Sequence, residues 1–346
     1  MSWTVSILAE DAVDERRRAH AFVAGCAAGH FHQYPEWSRV AGLQGDAARL
    51  LVAEQNGAVG LVALLTLARV GGFGPVVAHV NRGPVIGDAG ALSAALPVLI
   101  EEARRLKAAS LRLAPYVTSE QEAVQEVLRQ AGFHTARTQF GYARTLEADL
   151  CGDRDALLRS FRKGHRSAVK QAQRAGVEVV EGGAAEAEIF AGFYNEMVAR
   201  KGASPLPQGY FQRLQSFLSA APETGFFSMS RLDGRDLGGL FVMRHGERAI
   251  YAYGASPALE PGLPRTHILH YEAMLRSRSL GCRVYDMGGY SAGSGTAGER
   301  SPRQNVNMFK KGFARREVDL LPEQELVLRP LHHRIVETGR RMLGSS

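Results

Sequence analysis

The chain has 346 residues, 45% of them hydrophobic and 22% charged, with a net charge of +7. This balance excludes a disordered chain. With no run of about 18 uncharged apolar residues it also argues against a helical membrane protein, and it favours anionic partners such as nucleic acid, phosphorylated small molecules or a membrane surface. Three widely spaced cysteines, Cys26, Cys151 and Cys282, suggest neither a disulfide framework nor a zinc site, which fits a reducing compartment.

The length suits two domains. The first eighteen residues carry acids where a secretory leader would be basic, so a cytoplasmic protein is expected. Trp3 to Ala9 reads as a strand and Asp11 to Ala27 as a helix, and Pro35 opens a short helix running to Ala41. Leu50 to Glu54, Val59 to Ala68 and Val76 to Arg82 read as an antiparallel meander with turns at Asn56-Gly57 and Gly71-Gly72. A helix (Ala89 to Lys107), a strand (Ser110 to Ala114), a helix (Ser119 to Gln130) and a strand (His134 to Leu146) complete a mixed α/β unit.

The second half repeats this order without repeating the sequence. A basic helix from Arg159 to Ala175 leads to a strand at Val177 to Glu181, then to helices at Ala185 to Arg200 and Gln208 to Ala220. Three strands follow, Gly225 to Arg231, Leu237 to Arg244 and Ala249 to Ala255, then a helix from His267 to Leu280 and the strand Cys282 to Met287. Leu326 to Leu343 reads as a last helix. Its Leu331, Ile335, Val336 and Leu343 against Arg334, Arg340 and Arg341 suit either docking onto the first domain or lying on a membrane.

The stretch from Tyr285 to Phe313 stands out. A strand ending at Gly288-Gly289 brings the backbone to a sharp turn. A loop from Ser291 to Pro302 with little to bury, expected to be mobile, then delivers Phe309, Lys310, Lys311 and Phe313. Only six of the 42 basic residues are lysines, and two of them are adjacent here. The pair reads either as a solvated helix end or as the cation of a site. Tyr251 and Tyr253 fall on one strand face by period two. Asp286 either orients a lysine or caps the following turn. Arg159, Arg162, Lys163, Arg166, Lys170 and Arg174 line one side of their helix, as a solvated face or a nucleic-acid contact. His30 with His32, and His267 with His270, lack a third ligand, so no metal is expected.

The element order is that of the GCN5-related acyltransferase (GNAT) fold. Five runs in order resemble the Fem (FemABX) family of non-ribosomal peptidyltransferases: FRKGHRSAVKQAQRAGV from Phe161, FYNEMVARKG from Phe193 with Tyr210-Phe211, YAYGAS from Tyr251, YDMGG from Tyr285 and FKKGF from Phe309. The first half matches through Gln33, Trp37 and Arg82-Gly83-Pro84. The resemblance implies mixed α/β architecture with two tandem GNAT-like domains, residues 1–148 and 149–318, the C-terminal helix within 319–346 packing back onto the first. It also implies the compact form without a helical arm.

The activity implied is transfer of an amino acid from aminoacyl-tRNA to an amino group of a lipid-linked or nucleotide-linked peptidoglycan precursor. The enzyme would act as a monomer, without a cofactor, and would reach the inner face of the membrane at most peripherally. Holding an activated ester against a neutral amine needs no nucleophilic serine, which suits a sequence without GxSxG or a triad. On this resemblance Lys310 serves the donor end, with Lys311 in reserve and Phe309 stacking on a base or sugar. Asp286 is the second catalytic candidate. Arg200 binds acceptor phosphate in a groove between the domains with Tyr251 or Tyr253, and Trp37 and Arg39 stand for acceptor contacts of the first domain, where the family usually has a lysine. The alternative is an acyl-CoA- or acetyl-CoA-dependent N-acyltransferase. Its pyrophosphate turn would fall at Leu259 to His267 or at Arg82 to Gly87, and proline interrupts both.

Overall fold

The computed structural model describes residues 2–41, 48–69, 76–118, 121–200, 205–258, 265–290 and 302–342. The chain begins with β1 (Thr4–Leu8), α1 (Val13–Gly25), α2 (Ser38–Ala41), β2 (Arg49–Gln55), β3 (Ala58–Arg69), β4 (Val76–Val80) and β5 (Val85–Ile86). It continues through α3 (Ala89–Arg105), β6 (Ser110–Leu113), α4 (Gln121–Gln130) and β7 (His134–Thr135). Next come β8 (Arg144–Asp149), α5 (Arg154–Ser160), α6 (Lys163–Arg174), β9 (Glu178–Glu181), α7 (Ala184–Arg200) and α8 (Tyr210–Ala220). Then follow β10 (Gly225–Leu232), β11 (Arg235–His245), β12 (Arg248–Ala255), α9 (Arg265–Ser279), β13 (Val284–Gly289), α10 (Pro302–Phe313), β14 (Arg316–Asp319), β15 (Gln324–Val327) and α11 (Pro330–Met342).

Two units form. One comprises Met1–Ala143 with Asp319–Ser346, the other Arg144–Val318. The first holds a sheet ordered β1-β2-β3-β4-β6-β15-β7, with β5 paired to β3, and the second a sheet ordered β14-β8-β13-β12-β11-β10-β9. Each contains an antiparallel meander and a parallel pair, β4 with β6 and β12 with β13, joined in each case through a helix. Asn56 and Gly57 take positive φ (53° and 77°), the left-handed pair that a two-residue hairpin between β2 and β3 requires. The Gly71-Gly72 turn and the run from Ser291 to Ser301 lie outside the described residues.

Three expectations are corrected. The strand expected from His134 to Leu146 is two strands in different sheets, β7 pairing with β15 and β8 with β13. Buried side chains, not a ladder, hold the backbone between them. Arg112 donates to the Thr138 carbonyl (2.7 Å), the Phe140 N–H donates to Glu323 (2.8 Å) and Arg82 donates to the Tyr142 carbonyl (3.0 Å).

The basic helix expected over Arg159 to Ala175 breaks at Phe161-Arg162. Phe161 is extended (ψ 155°) and fully buried, edge-on to Phe313 at 4.9 Å, while the Arg162 N–H donates to the Gly312 carbonyl at 2.9 Å. The tail begins as a strand, with Gln324–Val327 lying antiparallel to β6, and becomes helical only at Pro330, where a missing N–H is harmless. Arg112, with no exposed side-chain surface, clamps this tail to its unit through Glu325 (2.8 Å), Glu337 (3.1 Å) and Glu323 (3.5 Å).

In the second unit the core has two faces. Val242, Leu240, Ile268, Tyr285 and Phe313 pack on the α9 face. Phe190, Phe211, Phe227 and Phe241 form an aromatic stack under α7 and α8.

Candidate functional site

The parallel pair β12 and β13 keeps register over three residues only, from Arg248 opposite Val284 to Ile250 opposite Asp286. Beyond that point no pairing joins them among the described residues. Opposite β11, β12 carries a bulge: Phe241 faces Tyr253 while Val242 faces Tyr251, so Ala252 is extra. The bulge overturns the reading by period two. Tyr251 turns to the α9 face, edge-on to His270 at 4.6 Å, whereas Tyr253 turns to the α7–α8 face, its hydroxyl 2.7 Å from that of Tyr210. Gly254 makes room for Tyr251, since a Cβ there would fall 2.3 Å from the Tyr251 hydroxyl. Burial pushes both Tyr251 and Tyr253 up to about 12, so they are neutral donors.

Lys310, on α10, enters where the strands part. Its side chain is buried, its ammonium donates to the Gly289 carbonyl at 2.7 Å, and it lies 5.9 Å from the centre of the Tyr251 ring. Burial brings it down to about 8, with the Asp286 charge pulling the other way. The turn beneath is built for this contact. Gly288 has φ +69°, and a Cβ on it would stand 3.3 Å from the Tyr251 carbonyl and 3.7 Å from Lys310 Nζ.

Asp286, fully buried, accepts the Gly288 N–H at 2.7 Å and a short hydrogen bond from Thr145, whose hydroxyl also lies 3.0 Å from the Gly288 carbonyl. It thus caps the turn on which Lys310 rests. Glu147 stands opposite Asp286 on β8. Burial, then the Asp286 charge, raises its pKa, while Arg316 (3.5 Å) and Arg248 (3.9 Å) flank it.

Helix α10 is seated by three imidazoles, two of which, His267 and His270, sequence reasoning weighed only as metal ligands. The His165 Nε2–H donates to the Phe309 carbonyl at 2.9 Å, and a Cβ on Gly312 would fall 2.0 Å from that nitrogen. His267 and His270, a turn apart on α9, pack on Phe309 at 5.2 and 5.4 Å. Phe309, the expected stacking residue, is therefore partly enclosed by three rings. Burial takes His267 down to about 4 and His270 to about 3, so both are neutral; His270 Nδ1 lies 3.4 Å from the Tyr285 hydroxyl.

The other nominated residues fall in different places. Lys311 is tied to Glu317 (3.0 Å) and lies over the Tyr290 ring (4.8 Å). Arg200 ends α7, exposed, with its charge near enough to Arg265 to join burial in lowering that residue's pKa. Arg265 opens α9 and donates to the Pro257 carbonyl (3.2 Å), just past β12. Arg200 is thus near Arg265, the first residue of α9.

In the first unit Trp37 is buried against Phe31 (4.9 Å) and His32 (5.1 Å), and Arg39 is exposed. Gln33 stitches the core, donating to the Asn81 carbonyl (2.6 Å) and accepting the Leu64 N–H (2.7 Å). Glu325, His333 and Glu337 bring ligand atoms within 4.8 Å of one another, but Arg112 already bonds two of the three. A cavity of about 490 Å³ in the second unit is lined by Glu147, Cys151, Arg283, Phe313, Arg315 and other residues, of which Phe313 alone belongs to the stretch singled out from sequence.

Comparison with known proteins completes the picture. The FemAB family profile matches residues 15–221, and an acetyltransferase (GNAT) domain profile matches residues 159–298. No curated protein matches the sequence. The crystal structure of FemX superposes with a TM-score of 0.81 at 20% identity, covering 97% of this chain and 100% of that one. L-PGS from Bacillus licheniformis follows at 0.58 and 12% identity, covering 95% and 97%. A tandem GNAT protein from the clavulanic acid biosynthesis pathway gives 0.55 at 13%, covering 94% and 98%. These likenesses establish the fold, and the profile match spans more than half of the chain. The chain belongs to the FemAB family and is built from two GNAT-like acyltransferase domains.

Proposed function

We propose that the protein transfers an amino acid from aminoacyl-tRNA to an amino group of a peptidoglycan precursor, forming part of an interpeptide bridge. The observation that carries this reading, beside family membership, is Lys310: a buried cation at the point where β12 and β13 separate, resting on a side-chain-free turn. In the reaction the acceptor nitrogen attacks the ester carbonyl. A C–N bond forms, the C–O bond to the terminal ribose breaks, and the proton lost by the nitrogen is balanced by protonation of the departing ribose oxygen, which leaves as a hydroxyl. An ester is already activated, so placing the reactants together supplies about 7 to 11 kcal/mol of the barrier. Lys310 serves the donor, offsetting the negative charge that develops on the carbonyl oxygen. Asp286 positions it by fixing the Gly288-Gly289 turn. Tyr251 is a neutral donor beside it, and Arg200 is the acceptor's phosphate contact, a planar fork of N–H groups.

Labelled Gly-, Ala- or Ser-tRNA incubated with a lipid-linked or nucleotide-linked precursor should yield an aminoacylated precursor. Failure with all three donors, while acetyl-CoA supplies an acyl group to an amine, overturns the reading in favour of a CoA-dependent acyltransferase.

A further inference from the structure

Helix α11 has two unlike faces. Inward, Val336 is buried, Glu337 accepts from Arg112 at 3.1 Å and His333 pairs with Glu325 at 3.2 Å, so the helix is fixed to the first unit. Outward, Leu331 and Ile335, one turn apart, are 73% and 59% exposed, with exposed Arg334 between them. The sequence PLHHRIVETGRRM holds three arginines and a single acid, Glu337, and that acid is turned inward. Just before the helix, exposed Arg329 donates to the carbonyl of Lys107, itself exposed, at 3.2 Å. The outward face described here is therefore apolar and basic, with its only acid neutralised elsewhere.

We propose that this face of α11 docks the first unit on a bilayer containing anionic phospholipid, Leu331 and Ile335 entering the headgroup boundary and Arg334 and Arg329 meeting lipid phosphate. The charge sign selects the occupant. Basic side chains around an apolar pair suit an anionic surface and repel a second copy of the same face. Area argues the same way, since two side chains fall far short of the roughly 800 Å² per partner of a stable protein interface. Because Glu337 and His333 tie the inner face to Arg112 and Glu325, the outer face is presented already formed. The proposal is independent of the donor and acceptor assigned above.

Co-sedimentation of the full chain with vesicles tests it. The protein should partition onto mixed phosphatidylglycerol–phosphatidylcholine vesicles, far less onto phosphatidylcholine alone, and less as salt rises. The double variant L331S/I335S should lower partitioning by about tenfold or more, and Arg334→Glu should lower it as well, while thermal melting stays unchanged because these side chains face solvent. The proposal is overturned by absence of partitioning, by partitioning that these variants leave intact, or by a concentration-dependent dimer in light scattering that L331S/I335S abolishes.

Discussion

Lys310 donates its ammonium hydrogen to the carbonyl of Gly289 across 2.7 Å, in a site that burial has brought down to about 8. The contact is possible because Gly288, capped by Asp286, turns with no side chain. A cation is thus held at the opening of the strands while remaining titratable near neutral pH.

From this follows a pH dependence. With Lys310 in its proposed role as a cation, transfer should fall as pH rises through about 8, where the ammonium is lost. Lys310→Arg, whose guanidinium stays protonated, should remove that basic limb even if turnover drops. A pH profile of kcat/KM in both forms checks this, and an unchanged limb in the arginine variant contradicts it.

Gly254 is predicted to be a specific requirement of the site. Gly254→Ala places a methyl group 2.3 Å from the Tyr251 hydroxyl and should displace that ring at a cost of about 1–3 kcal/mol. Transfer should fall while the fold survives, with denaturant midpoints and turnover measured on the same preparation. Wild-type turnover would show that Tyr251 is not needed where it stands.

Acid stability should report the neutral imidazoles. His267 and His270 have folded pKa values depressed to about 4 and about 3 from 6.5. Below pH 6.5 the unfolded chain takes up protons that the folded chain refuses, so stability declines as pH falls, levelling only beneath those values. The slope is up to about 1.4 kcal/mol per pH unit for His270, and less for His267, which solvent partly reaches. Urea unfolding at several pH values between 7 and 4 should show a shallower decline for His270→Phe than for the wild type. Equal declines would remove the buried imidazole as the cause.

Arg112 should be the most costly single charge to remove. Arg112→Met leaves Glu323, Glu325 and Glu337 without their common cation and should destabilise the protein by about 3–5 kcal/mol. Denaturant unfolding measures it, and a loss under about 1 kcal/mol would mean that the three carboxylates relax to solvent.

Much of this was legible in the sequence, and the exceptions share a cause. Hydrophobic periodicity and turn residues such as Asn56-Gly57 locate the elements, because both act over a few positions. Tyr251 and Tyr253 were misread because a bulge is set by pairing with β11, which period two does not register. The break at Phe161 depends on Phe313 and Gly312, far along the chain, and nothing local stops that helix. The tail was read as one helix because Arg112 meets Glu325 and Glu337 at separations of 213 and 225 residues. Lys310 was found by motif and by the rarity of lysine. The Asp286–Thr145 cap beneath it and the His165–Gly312 seat beside it emerge only when β8, β13, α6 and α10 are brought together.

The central claim is that Lys310 acts on the donor and Arg200 on the acceptor, and steady-state kinetics of the two alanine variants test it most directly. Lys310→Ala should lower kcat by about 10²–10³ with the acceptor KM nearly unchanged. Arg200→Ala should instead raise the acceptor KM and leave use of aminoacyl-tRNA close to wild type. If Lys310→Ala turns over at the wild-type rate, or if its defect lies in acceptor KM alone, the donor role given to this lysine is wrong.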